Sequence, residues 1–148
     1  MKSICVHLIS WMLCGVFLGS CQENTAFTAG KCHSVQQLLD SKEAKVACDE
    51  KASFEGKTLC LSGLLEVSND PRPLPRNFFL LSTINPNRAV EIQFEAEVAA
   101  KIIPKVRSNR GKTAKILGTV TGFGHAGNPN CKRTFILKLA NEADFSIE

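Results

Sequence analysis

The clearest fold information lies in residues 57–67, which read KTLCLSGLLEV. Apolar side chains recur there at every second position, which is the period of a β-strand with one buried face. They are Leu59, Leu61, Leu65 and Val67. Gly63 stands in the same series, and a glycine inside a long strand commonly marks a bend or bulge. The stretch therefore predicts a long first strand that curves.

Further elements are predicted on both sides of this strand. Ser34 is a predicted N-cap of a helix running to about Ala52. Four more strands are predicted at 77–83, 89–94, 112–122 and 132–140, with a short helix over 95–103 ending at Pro104. The order predicts a mainly β domain: a five-stranded OB-fold Greek-key barrel with an N-terminal helix and a short helix between strands 3 and 4. A five-stranded up-and-down sheet with flanking helices is the alternative.

Residues 34–67 resemble the opening of the OB-fold domains called "tRNA anti-like". The matching elements are Leu38-Leu39, Phe54-Glu55-Gly56-Lys57 and Leu61-Ser62-Gly63, and the likeness extends to about residue 140. The resemblance implies the barrel fold, and many members look like secreted or lipid-anchored bacterial proteins. The family name reflects shape, so tRNA binding is not implied. Cys48 and Cys60 depart from the pattern.

The N-terminal residues 1–21 resemble a lipoprotein signal. Lys2 is followed by an apolar run over 4–18, which is too short to cross a bilayer core of about 30 Å comfortably as a helix. Leu18-Gly19-Ser20-Cys21 resembles the lipobox of bacterial lipoproteins. The resemblance implies cleavage before Cys21 and acylation of its thiol. The predicted organisation is signal peptide 1–20, lipidated Cys and tether 21–32, and OB-fold domain 33–148. An ordinary secretory signal or an uncleaved helix anchor is the alternative.

This interpretation predicts a location in the bacterial cell envelope, with the acyl chains on Cys21 holding the protein to the membrane. Gln22 follows the lipidated residue, where an inner-membrane retention signal commonly has Asp. In a cell with two membranes the outer one is therefore favoured.

The seven cysteines divide according to this organisation. Cys5 and Cys14 would leave with the signal peptide, and Cys21 would carry lipid. The four candidates for disulfides in an oxidising compartment are Cys32, Cys48, Cys60 and Cys131. Three pairings are possible, and buried free thiols remain an alternative. No C-x₂-C spacing occurs among the four, so a metal site is not predicted.

Charge is unevenly distributed, although the net charge is only +4. From 98 to 141 there is no acidic residue, against nine basic ones. OB-folds commonly bind ligands across strands 2 and 3 and the loops joining strands 1–2 and 4–5. The residues expected on that face are Arg72, Arg76, Phe78, His125, Lys132 and Arg133. A basic face can bind nucleic acid or an acidic glycan, or it can simply be solvated or lie against anionic lipid.

No catalytic residue or cofactor is predicted. Residues 122–127 match G-x-G-x-x-G, but Asn-Pro-Asn follows and no helix begins there, so the segment indicates a loop and not a dinucleotide site. His33 and His125 are the histidines of the mature chain, and no H-E-x-x-H, G-x-S-x-G or P-loop occurs. The prediction is a non-enzymatic binding module with an unknown protein or glycan partner. A polyanion binder and a thiol- or disulfide-dependent enzyme are the alternatives, with nucleic acid not favoured as a ligand.

Overall fold

The computed structural model describes residue 27 and residues 30–68, 78–124 and 131–148. The strands are β1 (Cys32–Ser34), β2 (Thr58–Val67), β3 (Phe78–Leu81), β4 (Ala89–Phe94), β5 (Thr113–Phe123), β6 (Thr134–Leu139) and β7 (Phe145–Ile147). The helices are α1 (Val35–Asp40) and α2 (Ala96–Ser108), with a 3₁₀ turn at Glu142–Asp144. The signal peptide, Cys21 and most of the predicted tether therefore lie outside the described residues.

Five strands close into a barrel in the order β2-β3-β4-β6-β5, and β5 returns to β2. All neighbours are antiparallel except β4 and β6, which run parallel. The predicted OB-fold barrel is confirmed, and the parallel β4–β6 pair excludes the up-and-down sheet. Two short strands were not predicted: β1 pairs in parallel with β2, and β7 pairs antiparallel with β5.

β2 changes neighbours along its length, as the predicted curvature requires. Thr58–Leu64 pairs with β5, and Leu64–Val67 pairs with β3. Gly63 lies just before the change. A Cβ there would lie 2.3 Å from the carbonyl oxygen of Leu81 and 3.2 Å from the Cγ2 of Val35. Glycine is needed at this position because the neighbouring backbone approaches too closely for any side chain.

The interior of the barrel is filled by the inward residues of every strand. Alternation along β2 buries Leu59, Leu61 and Leu65 at 3% exposure or less. The other fully buried strand side chains are Leu80, Val90, Ile92, Ala114, Ile116, Val120, Leu137 and Leu139. Burial of each large aliphatic side chain contributes about 1.5–3 kcal/mol. These side chains fill the interior of the barrel in the described part of the chain.

α1 begins where predicted but ends much earlier. The hydroxyl oxygen of Ser34 accepts a hydrogen bond from the Gln37 N–H at 3.1 Å, and the Gln37 side chain accepts from the Ser34 N–H at 2.9 Å. This is a capping box. The helix ends at Asp40 and not near Ala52, because Ser41 is extended and its hydroxyl oxygen accepts the Ala44 N–H at 3.1 Å. Such local bonds offer the backbone an alternative to the helix.

α2 continues past the predicted end at Pro104. Proline removes one intrahelical hydrogen bond, but Pro104 and Ala100, whose carbonyl would accept that bond, are both exposed to solvent. Val106, in the turn that follows, is completely buried. Burial of Val106 keeps the last turn helical, so α2 has thirteen residues and is longer than predicted.

The two helices cover opposite ends of the barrel. α1 lies at the end where β4 begins, since Ser82 donates to Gln36 at 2.7 Å and Arg88 pairs with Asp40 at 2.5 Å. α2 joins the last residues of β4 to the first residues of β5, at the other end. Within the described part of the chain, no helix combines the length and the apolar character needed to span a bilayer.

Candidate functional site

All four candidate cysteines are joined in disulfides. Cys32 pairs with Cys60, linking β1 to β2 with a Cα–Cα distance of 4.4 Å. Cys48 pairs with Cys131 at a Cα–Cα distance of 5.8 Å and fastens the 41–57 segment to the start of β6. The pairing that the sequence left open is therefore decided, and free thiols are excluded for these four residues.

A buried ion pair lies beside the second disulfide. The Arg133 guanidinium donates to both carboxylate oxygens of Glu55, at 2.6 and 2.7 Å. Their side chains are only 8% and 7% exposed. Arg133 also donates to the Cys48 carbonyl at 2.8 Å and to the Gly122 carbonyl at 3.2 Å. Glu55 accepts the N–H groups of Ala52 at 2.8 Å and Gly122 at 3.1 Å. The pair thus joins the 41–57 segment to β5 and β6.

This arrangement gives Arg133 a structural role. Hydrogen bonds from Arg133 lower the pKa of Glu55 below its ordinary value, and burial opposes that shift. The guanidinium has its donors directed to Glu55, Cys48 and Gly122, so it is not available on the ligand face where the sequence predicted it.

Gly122 and Gly124, the G-x-G part of the 122–127 motif, lie against the Glu55–Arg133 ion pair and the Cys48–Cys131 disulfide. A Cβ on Gly122 would lie 2.6 Å from the Glu55 carboxyl group, and one on Gly124 would lie 2.7 Å from the Cys48 sulfur. The two glycines let the ion pair and the disulfide approach the end of β5. Residues 125–130, the rest of the motif and its following turn, lie outside the described residues.

The other predicted ligand residues are spread apart. Phe78 is 6% exposed and points into the barrel, where its ring contacts Phe94 at 5.2 Å. It is therefore a core residue and not part of a ligand face. Lys132 is exposed. Arg72, Arg76 and His125 lie outside the described residues.

The outside of β2, β3 and β4 presents a different row of side chains. Register places Glu66 beside Phe79, and Phe79 beside Glu91. We call these three residues the outer row. Glu66 forms an ion pair with Arg110 at 2.5 Å. The side chain of Glu91 is largely buried, at 9% exposure, and its carboxylate accepts a hydrogen bond from the Gln93 side chain at 3.1 Å. Strict alternation along β3 would have pointed to Phe79 as the outward aromatic residue in place of Phe78.

The segment 98–141, which includes no acidic residue, forms ion pairs with acidic residues from elsewhere in the described chain. Five of its nine basic side chains are in ion pairs, with Glu142, Glu66, Glu148 or Glu55 as partners. They are Lys101, Lys105, Arg110, Lys115 and Arg133. Part of the basic stripe seen in the sequence is therefore paired with carboxylates in the fold, and Lys101 and Lys105 share the same one, Glu142.

A cleft of about 540 Å³ opens at the α1 end, lined by Phe27, Lys31, His33, Gln37, Asp40, Ser41, Lys42 and Glu43. His33 is 6% exposed, and its Nε2 has no hydrogen-bond partner among the described residues. The Phe27 ring lies edge-on to the imidazole at 5.0 Å and to Phe54 at 5.4 Å. Phe27 and Cys32, predicted in the tether, therefore pack with the domain.

No cluster of three or more His, Cys, Asp or Glu side chains that could hold a metal ion occurs in the described ranges. No family model matches the chain, and no curated protein matches it. A solved structure, "OBody AM2EP06 bound to hen egg-white lysozyme", is similar over 73% of this chain and 91% of that chain, at 14% identity. Its TM-score of 0.39 is too low to support an argument about fold or function.

Proposed function

We propose that this chain is a lipid-anchored binding module that works outside the cytoplasm. The observation that carries the proposal is the distribution of cysteines. Cys21 directly follows Leu18-Gly19-Ser20, and every cysteine after it is in a disulfide. Disulfides persist in oxidising compartments such as the periplasm and the cell surface. One cysteine with a lipidation motif and four paired cysteines support a lipid-anchored protein in an oxidising compartment.

The anchor consists of acyl chains on Cys21. Each buried CH₂ group contributes about 0.8 kcal/mol, and two or more chains give stable attachment. The lipobox resemblance implies two chains on the thiol and usually a third on the new amino group. Gln22 favours the outer membrane in a cell that has two.

Binding is proposed to use the outer row and not the inside of the barrel. The interior is closed by aliphatic side chains. Phe79 lies half-buried on the outside of β3, next to Glu66 on β2 and Glu91 on β4. Aromatic residues are enriched at protein interfaces. A protein or a glycan is the partner class that this surface suits.

The polyanion alternative receives less support. A nucleic acid or acidic glycan would meet Glu66 on the outer row, and five of the nine basic side chains of the 98–141 segment are in ion pairs within the described residues. A thiol-dependent enzyme needs a free thiolate, and the four described cysteines are paired. We therefore do not propose either function.

Palmitate labelling tests the anchor. Cys21→Ala should abolish incorporation of labelled palmitate, whereas Cys14→Ala, which changes the same residue type inside the signal peptide, should leave it unchanged. Labelling that survives in Cys21→Ala would refute the lipidation.

Photocrosslinking tests the binding surface. A photoreactive amino acid at Phe79 should capture a discrete partner in intact cells. The same amino acid at Leu117, an exposed outward residue of β5, is the matched control. Equal capture at both positions, or none at Phe79, would count against the outer row.

A further inference from the structure

We propose that the α1 end of the barrel lies against the phospholipid headgroups, with Ile84 inserted among them. The inference rests on the proposed lipidation of Cys21. It adds an orientation: one end of the domain contacts the bilayer, and the outer row on the side of the barrel stays open to a partner.

The tether between Cys21 and the domain is short. The ring contacts of Phe27 with His33 and Phe54 fasten the chain to the domain at residue 27. Six residue steps separate Phe27 from Cys21, and a fully extended chain of that length spans at most about 20 Å. A domain of this size has a radius of gyration of about 14 Å and is therefore about 35 Å across. The tether is too short for the far side of the domain to turn towards the bilayer.

The tethered end of the domain presents an uncharged turn with an exposed apolar side chain. The β3–β4 turn lies beside α1, held there by the Ser82–Gln36 hydrogen bond and the Arg88–Asp40 ion pair. Ile84 at this turn is 79% exposed, the most exposed large apolar side chain of the described chain. Residues 83–87 (TINPN) carry no charge. A single exposed Ile is ordinary on a soluble surface, but here it projects from the end that the tether holds near lipid.

The turn is rigid enough to present Ile84 in one place. The hydroxyl oxygen of Ser82 accepts the N–H groups of Ile84 and Asn85, both at 3.1 Å. Asn85 in turn accepts the Asn87 N–H at 3.1 Å. These bonds hold the turn in its conformation, so insertion of Ile84 does not require the turn to refold.

Charges at the rim of the cleft favour headgroups over another apolar surface. With Asp40 paired to Arg88, the rim carries Lys31, Lys42 and Glu43. The cations suit phosphate groups, and basic side chains near an anionic surface strengthen membrane attachment. An uncharged turn carrying Ile84 beside a slightly basic rim is suited to the boundary between headgroups and acyl chains.

Tryptophan fluorescence can test this orientation directly. Trp11 is the single Trp and lies in the predicted signal peptide, and the chain has no Tyr. Ile84→Trp therefore introduces a unique fluorophore at the proposed contact. Ala100→Trp, at an exposed position on α2, is the matched control at the opposite end. Both lipidated proteins are reconstituted in phosphatidylethanolamine–phosphatidylglycerol vesicles containing phospholipids brominated on their acyl chains.

We expect the emission of Ile84→Trp to shift to shorter wavelength and to be quenched by about half or more, since residues at this boundary lie about 5–10 Å into the membrane. Ala100→Trp should show neither change. Acylation of Cys21 is verified by mass for each sample, so a missing acyl group refutes the proposed function and not the orientation. An acylated protein in which Ile84→Trp is unquenched, or Ala100→Trp is quenched more strongly, overturns the orientation. Asn87→Trp, in the same turn, should reproduce the quenching. A concentration-dependent blue shift of Ile84→Trp without vesicles would mean contact between copies and would also overturn it.

Discussion

The buried ion pair between Glu55 and Arg133 should respond strongly to a change of one atom. Glu55→Gln keeps the shape and one acceptor oxygen but leaves the Arg133 charge without a counter-ion, in a site where both side chains are less than a tenth exposed. Removing one partner of a buried pair typically costs 3–5 kcal/mol. Because Gln can still accept some of the hydrogen bonds, we expect a loss of about 3 kcal/mol, at the low end of that range.

The matched control is Glu142→Gln. Glu142 also pairs with basic side chains, Lys101 and Lys105, but these side chains are more than a third exposed. Solvent screens such pairs, so their removal has little effect on stability. Urea unfolding followed by far-ultraviolet circular dichroism, with disulfides intact, measures both variants. A loss in Glu55→Gln no larger than that in Glu142→Gln would refute the reasoning.

A double variant separates the stranded charge from the lost hydrogen bonds. Arg133→Met in the Glu55→Gln background removes the uncompensated cation, so part of the lost stability should return, as is found when a buried pair is replaced by apolar groups. A double variant less stable than Glu55→Gln would show that the packing of Arg133, and not its charge, accounts for the loss.

The same pair predicts a pH dependence. The pKa of Glu55 is lowered in the folded state, so the unfolded chain binds its proton first as the pH falls. The contribution of the pair is fully present above the ordinary Glu pKa of about 4.3 and is lost as the pH falls through the lowered folded pKa. The stability difference between the parent protein and Glu55→Gln should therefore shrink below about pH 4. A difference that stays constant down to pH 2 would contradict this.

The two disulfides should contribute unequally to stability. By the loop-entropy relation, Cys131→Ser should cost about 4.5 kcal/mol and Cys60→Ser about 3.6, because the bridged residues are 83 and 28 positions apart. Thermal unfolding of the oxidised variants gives the order, and a reversed order would contradict loop entropy as the main source of the stabilisation. Gly63→Ala should destabilise the protein more than Gly56→Ala. A Cβ at position 63 would lie 2.3 Å from a backbone oxygen, whereas a Cβ at position 56 would meet open space, although the φ there is positive. Urea unfolding compares the two variants. The protein should elute from heparin at low salt, and retention that falls steeply with salt would instead support a polyanion ligand.

The sequence determined the local elements well. Alternation in residues 57–67 located β2, the Ser34 signature located the start of α1, and β4 was predicted with its observed bounds, Ala89–Phe94. These signals are local, because side-chain period and capping depend on residues a few positions apart. The order of elements was then enough to choose an OB-fold barrel.

Helix ends were less predictable than helix starts. The end of α1 depends on one serine adopting an extended conformation, and the end of α2 depends on Val106 finding a buried position beyond Pro104. Propensity alone favoured the opposite outcome in both cases. Burial of Val106 against the barrel accounts for the end of α2, and burial is a property of the whole fold. The end of α1 follows from the local hydrogen bond of Ser41 with Ala44.

The site was the part that the sequence alone could not determine. The sequence alone predicts lipidation at Leu18-Gly19-Ser20-Cys21, because a peptidase and a lipid transferase act on a short linear segment. The pairing of the four cysteines and the burial of Arg133 against Glu55 could not be predicted from the sequence. Each depends on which residues, 28 to 83 positions apart, meet when the barrel closes. Charge counts along the chain suggested a basic face, and the tertiary structure paired most of those charges with distant carboxylates.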